Sequence, residues 1–407
     1  MRNLGAVLRL TMGTTAKASC NLARIEFSST TGKLSGGFTV TNNGNIAITP
    51  AGNASGRLIF DVSEGGAGLA TVNGLYELSI IFPPLADNDL TMKAYGTNGK
   101  YYKRSIASAT MERNKVYTNR LLDLEFDLED PYYTANSNGD RIAFAPGNLQ
   151  YQASTGTWRF AENQYDYIGN DVGNTTNSGR ATQSHWIDLF GWGTSGWNNK
   201  QPYMMQDYYN VYGNGANDIS NTNYDWGLFN AIFNPSSGLT DPAGTWRTFT
   251  FEEMGYIMLT RTAATVCGTN NARYAKSIIE THNGDLVKGV ILFPDNYQHP
   301  TDINITSINT ATSTFANNHF SLAQWQKMEN AGAVFLPCAG LRSRNNVSQT
   351  STQQRPRGNY WSGTRYTDNM GYAHCLSIEE NLLWPQTNRI WYTGSSVRLI
   401  KNLPQLP

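Results

Sequence analysis

Two phrases near the C-terminus decide how this chain is read: Gly358-Asn359-Tyr360-Trp361-Ser362-Gly363-Thr364 and Gly394-Ser395-Ser396-Val397-Arg398-Leu399-Ile400. A third, Pro337-Cys338-Ala339-Gly340-Leu341-Arg342, opens the same segment. Short apolar pieces at Val334–Leu336 and Val397–Ile400 fit buried strands, whereas the polar and aromatic runs between them cannot all face inward. Tyr, Trp, Arg and Asn together give rigid amphipathic area with adaptable hydrogen bonding, the composition of a recognition surface. A surface loop region rich in turn formers has the same composition.

Upstream of this segment, Thr250-Phe251-Glu252-Glu253 and Ser321-Leu322-Ala323-Gln324 are capping boxes. Met254, Ile257, Met258 and Arg261 follow the first at helical spacing; Trp325 and Met328 follow the second, with a stop near Gly332. Val287–Phe293, ended by Pro294, and Ala333–Leu336 read as buried strands. Arg141–Tyr151 and Thr157–Phe160 begin this β-rich part, and Gly169–Tyr224 is a long loop text crowded with Asn, Gly, Trp and Tyr. Trp186, Phe190, Trp192, Trp197 and Trp226 are expected to pin those loops to the body, with a sugar-stacking platform as the other reading. Two helices, a small irregular sheet and long loops make an α+β outline.

Residues 1 to about 128 differ in texture. Leu4–Leu10, Leu22–Phe27, Gly32–Val40, Leu58–Val62 and Tyr76–Phe82 read as strands, with turn signals at Asn42–Asn45 and Gly65–Gly68. Leu90–Tyr95 and Lys100–Ser105 flank Gly96-Thr97-Asn98-Gly99 as a hairpin, and Lys115–Leu122 supplies a last strand. About seven short strands at this spacing predict an all-β sandwich. Acidic Glu125–Asp130, Pro131 and the polar run Thr134–Asp140 mark the boundary, giving domains 1–128 and 129–407.

Lysine plus arginine balance aspartate plus glutamate at 31 each, without a basic stripe, so nucleic acid is not an expected partner. No apolar run reaches the about eighteen residues a membrane helix needs. Met1-Arg2-Asn3 leads straight into the strand-like Leu4–Leu10, so either the protein is cytoplasmic or an export signal has been removed. Cys20, Cys267, Cys338 and Cys375 lack metal-ligand spacing; no metal or cofactor is expected, and the thiols read as free and buried. Cys338 and Cys375 could still meet across a sheet.

Leu78–Pro84, Leu90–Tyr102 and Met111–Thr118 resemble one sandwich domain of the fimbrillins, pilus subunits and surface lipoproteins of Bacteroides-type bacteria. That resemblance implies an anchoring or assembly role, with other pilus subunits as partners through strand addition. Fimbrillins usually carry two sandwiches and a lipobox cysteine, and this chain shows one sandwich and no lipobox. Thr248–Met254, Gly289–Asp295, Ala333–Arg342, Asn359–Thr364 and Ser396–Ile400 are similar to the C-type-lectin-like fold in its formylglycine-generating-enzyme-like branch. The ending further resembles the variable proteins of diversity-generating retroelements, in which selected codons are rewritten within a constant framework. Carried onto this chain, the diversified, ligand-binding positions are Arg342, Arg344, Asn345, Thr364, Arg365, Tyr366, Asp368, Tyr372, His374, Asn388, Arg389, Trp391 and Tyr392. Tyr360, Trp361 and Arg398 read as framework.

These resemblances imply a cell-surface or pilus-tip adhesin whose ligand is a protein or glycan on another cell or host surface. The alternatives are a glycan-binding module of a surface lipoprotein and a sulfatase-modifying enzyme. The enzyme would need paired C-terminal cysteines in a Trp-x-Cys, Tyr-Cys-x-Arg-Tyr context, which Cys338 and Cys375 do not have. Calcium-lectin phrases are missing too; Trp197-Asn198-Asn199 lacks the carboxylate. His185 and Asp188 form an acid–base spacing without a nucleophile motif nearby, so no catalytic residue is expected.

Overall fold

The computed structural model describes residues 5–14, 21–29, 31–42, 46–50, 55–61, 75–124, 128–175, 182–204 and 206–403. Cys20, the tip of the turn at 43–45, the loop at 65–68 and the start of the acidic boundary at 125–127 lie outside them. The protein is mostly β-sheet, with 43% of residues in strands against 10% in helices, so pairing register decides where most side chains point. It divides into two compact units, one made of the chain up to Asp130 with the short piece Ser237–Leu239, the other of the chain from Pro131 without that piece.

The first unit contains ten strands among the described residues. They are β1 (Ala6–Thr14), β2 (Leu22–Ser28), β3 (Phe38–Asn42), β4 (Ile46–Pro50) and β5 (Arg57–Asp61). Then come β6 (Leu75–Phe82), β7 (Leu85–Gly96), β8 (Tyr101–Met111), β9 (Val116–Thr118) and β10 (Leu122–Leu124). The order β10-β1-β6, with β9 also on β1, makes one sheet; β5-β2-β7-β8 makes the other. Inward residues of both, such as Leu8, Leu10 and Ile80 from the first and Ile25, Phe27 and Met92 from the second, meet in one core. The Gly96–Gly99 turn joins β7 to β8 as read from sequence, with Gly99 at φ 77°. Two readings needed correction. Only Phe38–Val40 of the Gly32–Val40 stretch is strand, as the start of β3, and Lys115–Leu122 is split into β9 and β10 around Asn119, whose side chain accepts from Thr11 N of β1 (2.8 Å).

The second unit starts with β11 (Tyr133–Thr134), β12 (Arg141–Phe144), β13 (Leu149–Gln152), β14 (Thr157–Phe160) and β15 (Trp186–Ile187). Next are β16 (Ile232–Asn234), β17 (Leu239–Asp241), β18 (Arg247–Thr248), β19 (Tyr274–Glu280), β20 (Leu286–Leu292) and β21 (His319–Phe320). The last segment supplies β22 (Val334–Pro337), β23 (Leu341–Ser343), β24 (Asn346–Ser348) and β25 (Arg357–Arg365). It ends with β26 (Tyr372–Glu379), β27 (Leu382–Ile390) and β28 (Leu399–Asn402). Both capping boxes form, heading the helices Phe251–Gly255 and Leu322–Asn330. The first continues as a wider turn over Tyr256–Thr260, which lets Ile257 and Met258 reach the core.

Sheet β25-β26-β27 organises this unit. Tyr360, Leu376 and Ile378 project from one face into a core shared with Met254, Ile257 and Leu336. Trp361, Ala373 and Cys375 project from the other into an aromatic core with Trp192, Trp226 and Trp391. A strand buried on both faces has no freedom to slip, because a one-residue shift would exchange the two cores.

Candidate functional site

The framework residues explain why the candidate face can be stiff. Tyr360 is wholly buried and its hydroxyl donates to Pro337 O at 2.7 Å, while Trp361 Nε1 donates to Phe190 O at 2.7 Å. Arg398 is likewise buried, donating to Ala145 O at 3.0 Å and Phe335 O at 2.6 Å. With carbonyl dipoles as its partners and no carboxylate among them, burial pushes its guanidinium down to about 10. It ties the entry to β28 to the end of β12 and to β22 as a structural group. Phe190, Trp192 and Trp226 are fully buried; Trp186 stays half-exposed under Arg159, and Trp197 is exposed against Phe229.

Beyond Gly363 the same strand β25 leaves the interior, and Thr364, Arg365 and Tyr366 are half-exposed. They gather with residues of the neighbouring strands. Tyr366 meets His374 edge-on at 5.2 Å, and Tyr366 N donates to Tyr372 O at 3.0 Å. His374 pairs in register with Asn388 and lies 3.9 Å, ring to ring, from Phe251. Thr364 Oγ1 accepts from Phe251 N at 3.0 Å, and Arg365 N donates to Asp218 at 2.8 Å. The Tyr366 hydroxyl is raised above its usual range by its hydrogen bond to Asp368. Thr364, Tyr366, Asp368, Tyr372, His374 and Asn388 thus gather at one edge of the sheet, while Arg365 stands opposite Ala373, on the other face from His374.

The remaining candidates separate. Arg344 and Asn345 are exposed at the tip of the β23–β24 hairpin, where Arg344 pairs with Asp207. Arg389 is opposite Ala373, on the other face of the sheet from His374, and joins Glu379 at 3.9 Å beside Arg357 (2.8 Å). Tyr392 is half-buried against the aromatic core.

Two candidates cannot touch a ligand in this structure and are corrected. Arg342 is buried because strand alternation turns it inward with Val347, where it donates to Leu189 O (3.2 Å) and Met204 O (3.3 Å). Burial lowers its guanidinium to about 10. Gly394 lies against it so closely that a Cβ there would come 2.7 Å from Arg342 Cβ. Trp391 is buried because its ring stacks on Trp192 at 5.2 Å and its carbonyl accepts Trp192 N at 2.8 Å.

Sequence reasoning missed Phe251 and Asp218, which support this edge from outside the C-terminal segment, Gln386 within it, whose Nε2 donates to Phe251 O at 3.1 Å, and Asp207, which pairs with Arg344 at the hairpin tip. Phe251 was visible only as the first residue of a capped helix. Nothing local marked Asp218, which lies 147 residues from Arg365.

The tested chemistry is arranged otherwise. His185 faces Asp171 at 3.4 Å, while Asp188 is buried and bound by Asn174 and Ile168 N, so the two are not a pair. Cys338 and Cys375 are free, buried and packed in different cores. Burial raises both thiols, Cys375 to about 12. Cys267, read as buried, is exposed. A comparison with protein-family models, with curated proteins and with solved structures finds no significant match to this chain.

Proposed function

We propose that this protein is a cell-surface or pilus-tip adhesin. In this reading the first unit is a fimbrillin-like β-sandwich that anchors or assembles. The second is an α+β, C-type-lectin-like unit displaying a diversified face, as in the variable proteins of diversity-generating retroelements. One observation carries it: β25 passes within a few residues from a fully buried frame, Gly358–Gly363, to a half-exposed edge where Thr, Tyr, Asp, His and Asn side chains gather. Rigid backing limits the entropy lost on binding, and exposed positions tolerate exchange. The ligand is a protein or a glycan on another surface, and the role is non-enzymatic.

A second observation supports the assembly part. Beyond Tyr101, which bridges to Leu128, edge strand β8 pairs only with β7 among the described residues. Beside it Leu8, Leu10, Phe27, Met92 and the exposed Ile106 line an apolar groove of about 430 Å3. Unpaired backbone over apolar pockets is what an added strand recognises.

The test is a displayed library randomised at Thr364, Arg365, Tyr366, Asp368, Tyr372, His374 and Asn388, compared with one randomised at Asn359, Tyr360, Trp361 and Arg398. The reading expects most members of the first to remain folded and to yield binders, and few of the second to fold. Equal loss of folding in both would overturn it. At the level of DNA, it expects a nearby copy of the codons for 337–400 that differs only at adenines, beside a reverse transcriptase.

A further inference from the structure

Away from the β25–β27 edge, the second unit has a cavity of about 520 Å3, within the range of small-molecule sites (about 300–1,000 Å3). Three segments enclose it: the 165–170 loop, the turn joining β19 to β20, and the 350–353 loop. Their placement is local. Thr281 Oγ1 accepts from Asn283 N (3.3 Å) and Asp285 N (3.2 Å), and Thr281 N donates to Asp285 O (2.9 Å), which holds the turn 281–285 in shape. Tyr165 is buried and its hydroxyl meets His282 Nδ1 at 3.4 Å, tying the first loop to that turn.

The lining has a definite chemistry. It contains the rings of Tyr165, Tyr167 and His282, the hydroxyls of Thr350 and Thr352, and the amides of Asn170, Asn283 and Gln353. Its charged side chains are Asp166 and Asp285; neither Lys nor Arg lines it. Asp166 is occupied by Asn163, whose backbone N (2.9 Å) and Nδ2 (3.0 Å) both donate to it. Asp285 is exposed and its carboxylate has no hydrogen bond or ion pair among the described residues.

Phosphate, sulfate and carboxylate ligands would meet carboxylates without a compensating cation, so they are disfavoured. An apolar ligand would leave the amides and carboxylates without hydrogen-bond partners. What remains is a ligand presenting several hydroxyls, each able both to donate and to accept, with a C–H face for the tyrosine rings. We propose that this cavity is a second ligand site, for a neutral or amino-substituted saccharide residue, with Asp285 accepting from sugar hydroxyls and Tyr167 packing on the ring. None of its residues is among the candidate diversified positions, so it would keep one specificity while the edge varies.

The experiment is ligand-observed NMR on the full chain with methyl glucoside, methyl galactoside, glucosamine and glucuronic acid at millimolar concentrations. It is repeated on Asp285→Ala, Asp285→Asn, Tyr167→Ala and the edge variant Tyr366→Ala, each checked for native circular dichroism. Binding of at least one neutral or amino sugar is expected, weakened about tenfold by Asp285→Ala, with partial retention in Asp285→Asn. Tyr366→Ala should leave it unchanged, which separates this site from the proposed adhesin face. Absence of binding by every sugar, tighter binding of glucuronic acid than of the neutral sugars, or binding untouched by Asp285→Ala and Tyr167→Ala would overturn the proposal.

Discussion

Strand β25 holds two regions that behave oppositely. From Gly358 to Gly363 every residue is buried, with Tyr360 and Trp361 locked into separate cores by side chain to carbonyl hydrogen bonds. From Thr364 to Tyr366 the chain is half-exposed, and its contacts include ring edges, a backbone bond to Asp218 and the helix-start residue Phe251. The first half has a unique solution because any change meets close-packed atoms. The second half rests on that solution and constrains little itself. A binding face that tolerates change requires this division, since exchangeable side chains cannot also hold the backbone.

The sharpest way to break the comparison is Trp361→Ala. It removes a fully buried ring and one of the two hydrogen bonds that Phe190 O accepts, leaving the one from Ser395 N, and a loss of about 3–5 kcal/mol in denaturant unfolding is expected. A loss under about 1 kcal/mol would mean that the buried half is not the frame.

Next in size is a pH effect from the loops behind the sheet. Asp225 is buried, and although Thr248 N and Gly227 N donate to it, desolvation raises it from 3.8 to about 6. The folded state therefore binds its proton more tightly than the unfolded state does. This contribution is greatest below pH 3.8, falls as pH rises toward about 6, and is constant above that. Its size is about 3 kcal/mol. Stability measured against pH should show this fall, over and above other groups, in the wild type and lose it in Asp225→Asn. Asp188, raised to about 6 by the same cause, adds in the same direction.

Thr250→Ala tests the support of the second half, since it uncaps the helix that presents Phe251 to His374. It should cost about 1 kcal/mol in thermal or denaturant unfolding. Smallest of all, Tyr366→Ala should change stability by no more than about 0.5 kcal/mol. A cost several times larger would make the edge part of the frame and remove its freedom to vary.

Much of this was legible from residues alone. Both capping boxes name their own hydrogen bonds, and the Gly96–Gly99 turn names its hairpin, because those signals act over a few residues. Tyr360, Trp361 and Arg398 could be read as framework from apolar neighbours on a strand. Arg342, Trp391 and Arg389 could not be placed correctly, for they lie in the same composition as the exposed edge. Which side of a strand a residue occupies depends on register with a partner strand, as Arg342 opposite Val347 and Arg389 opposite Ala373 show.

The amino-acid sequence by itself determined that this is a β-rich protein with two short capped helices and a C-terminal segment alternating apolar strands with Tyr, Trp, Arg and Asn. Local sterics and hydrogen-bond chemistry settle such features without reference to distant residues. Only the tertiary structure decided which of those side chains reach solvent together, and that Asp218 and Phe251 stand beside them. The physical reason is that solvent exposure belongs to an assembled surface: it is fixed when remote strands pair and two cores close on one sheet.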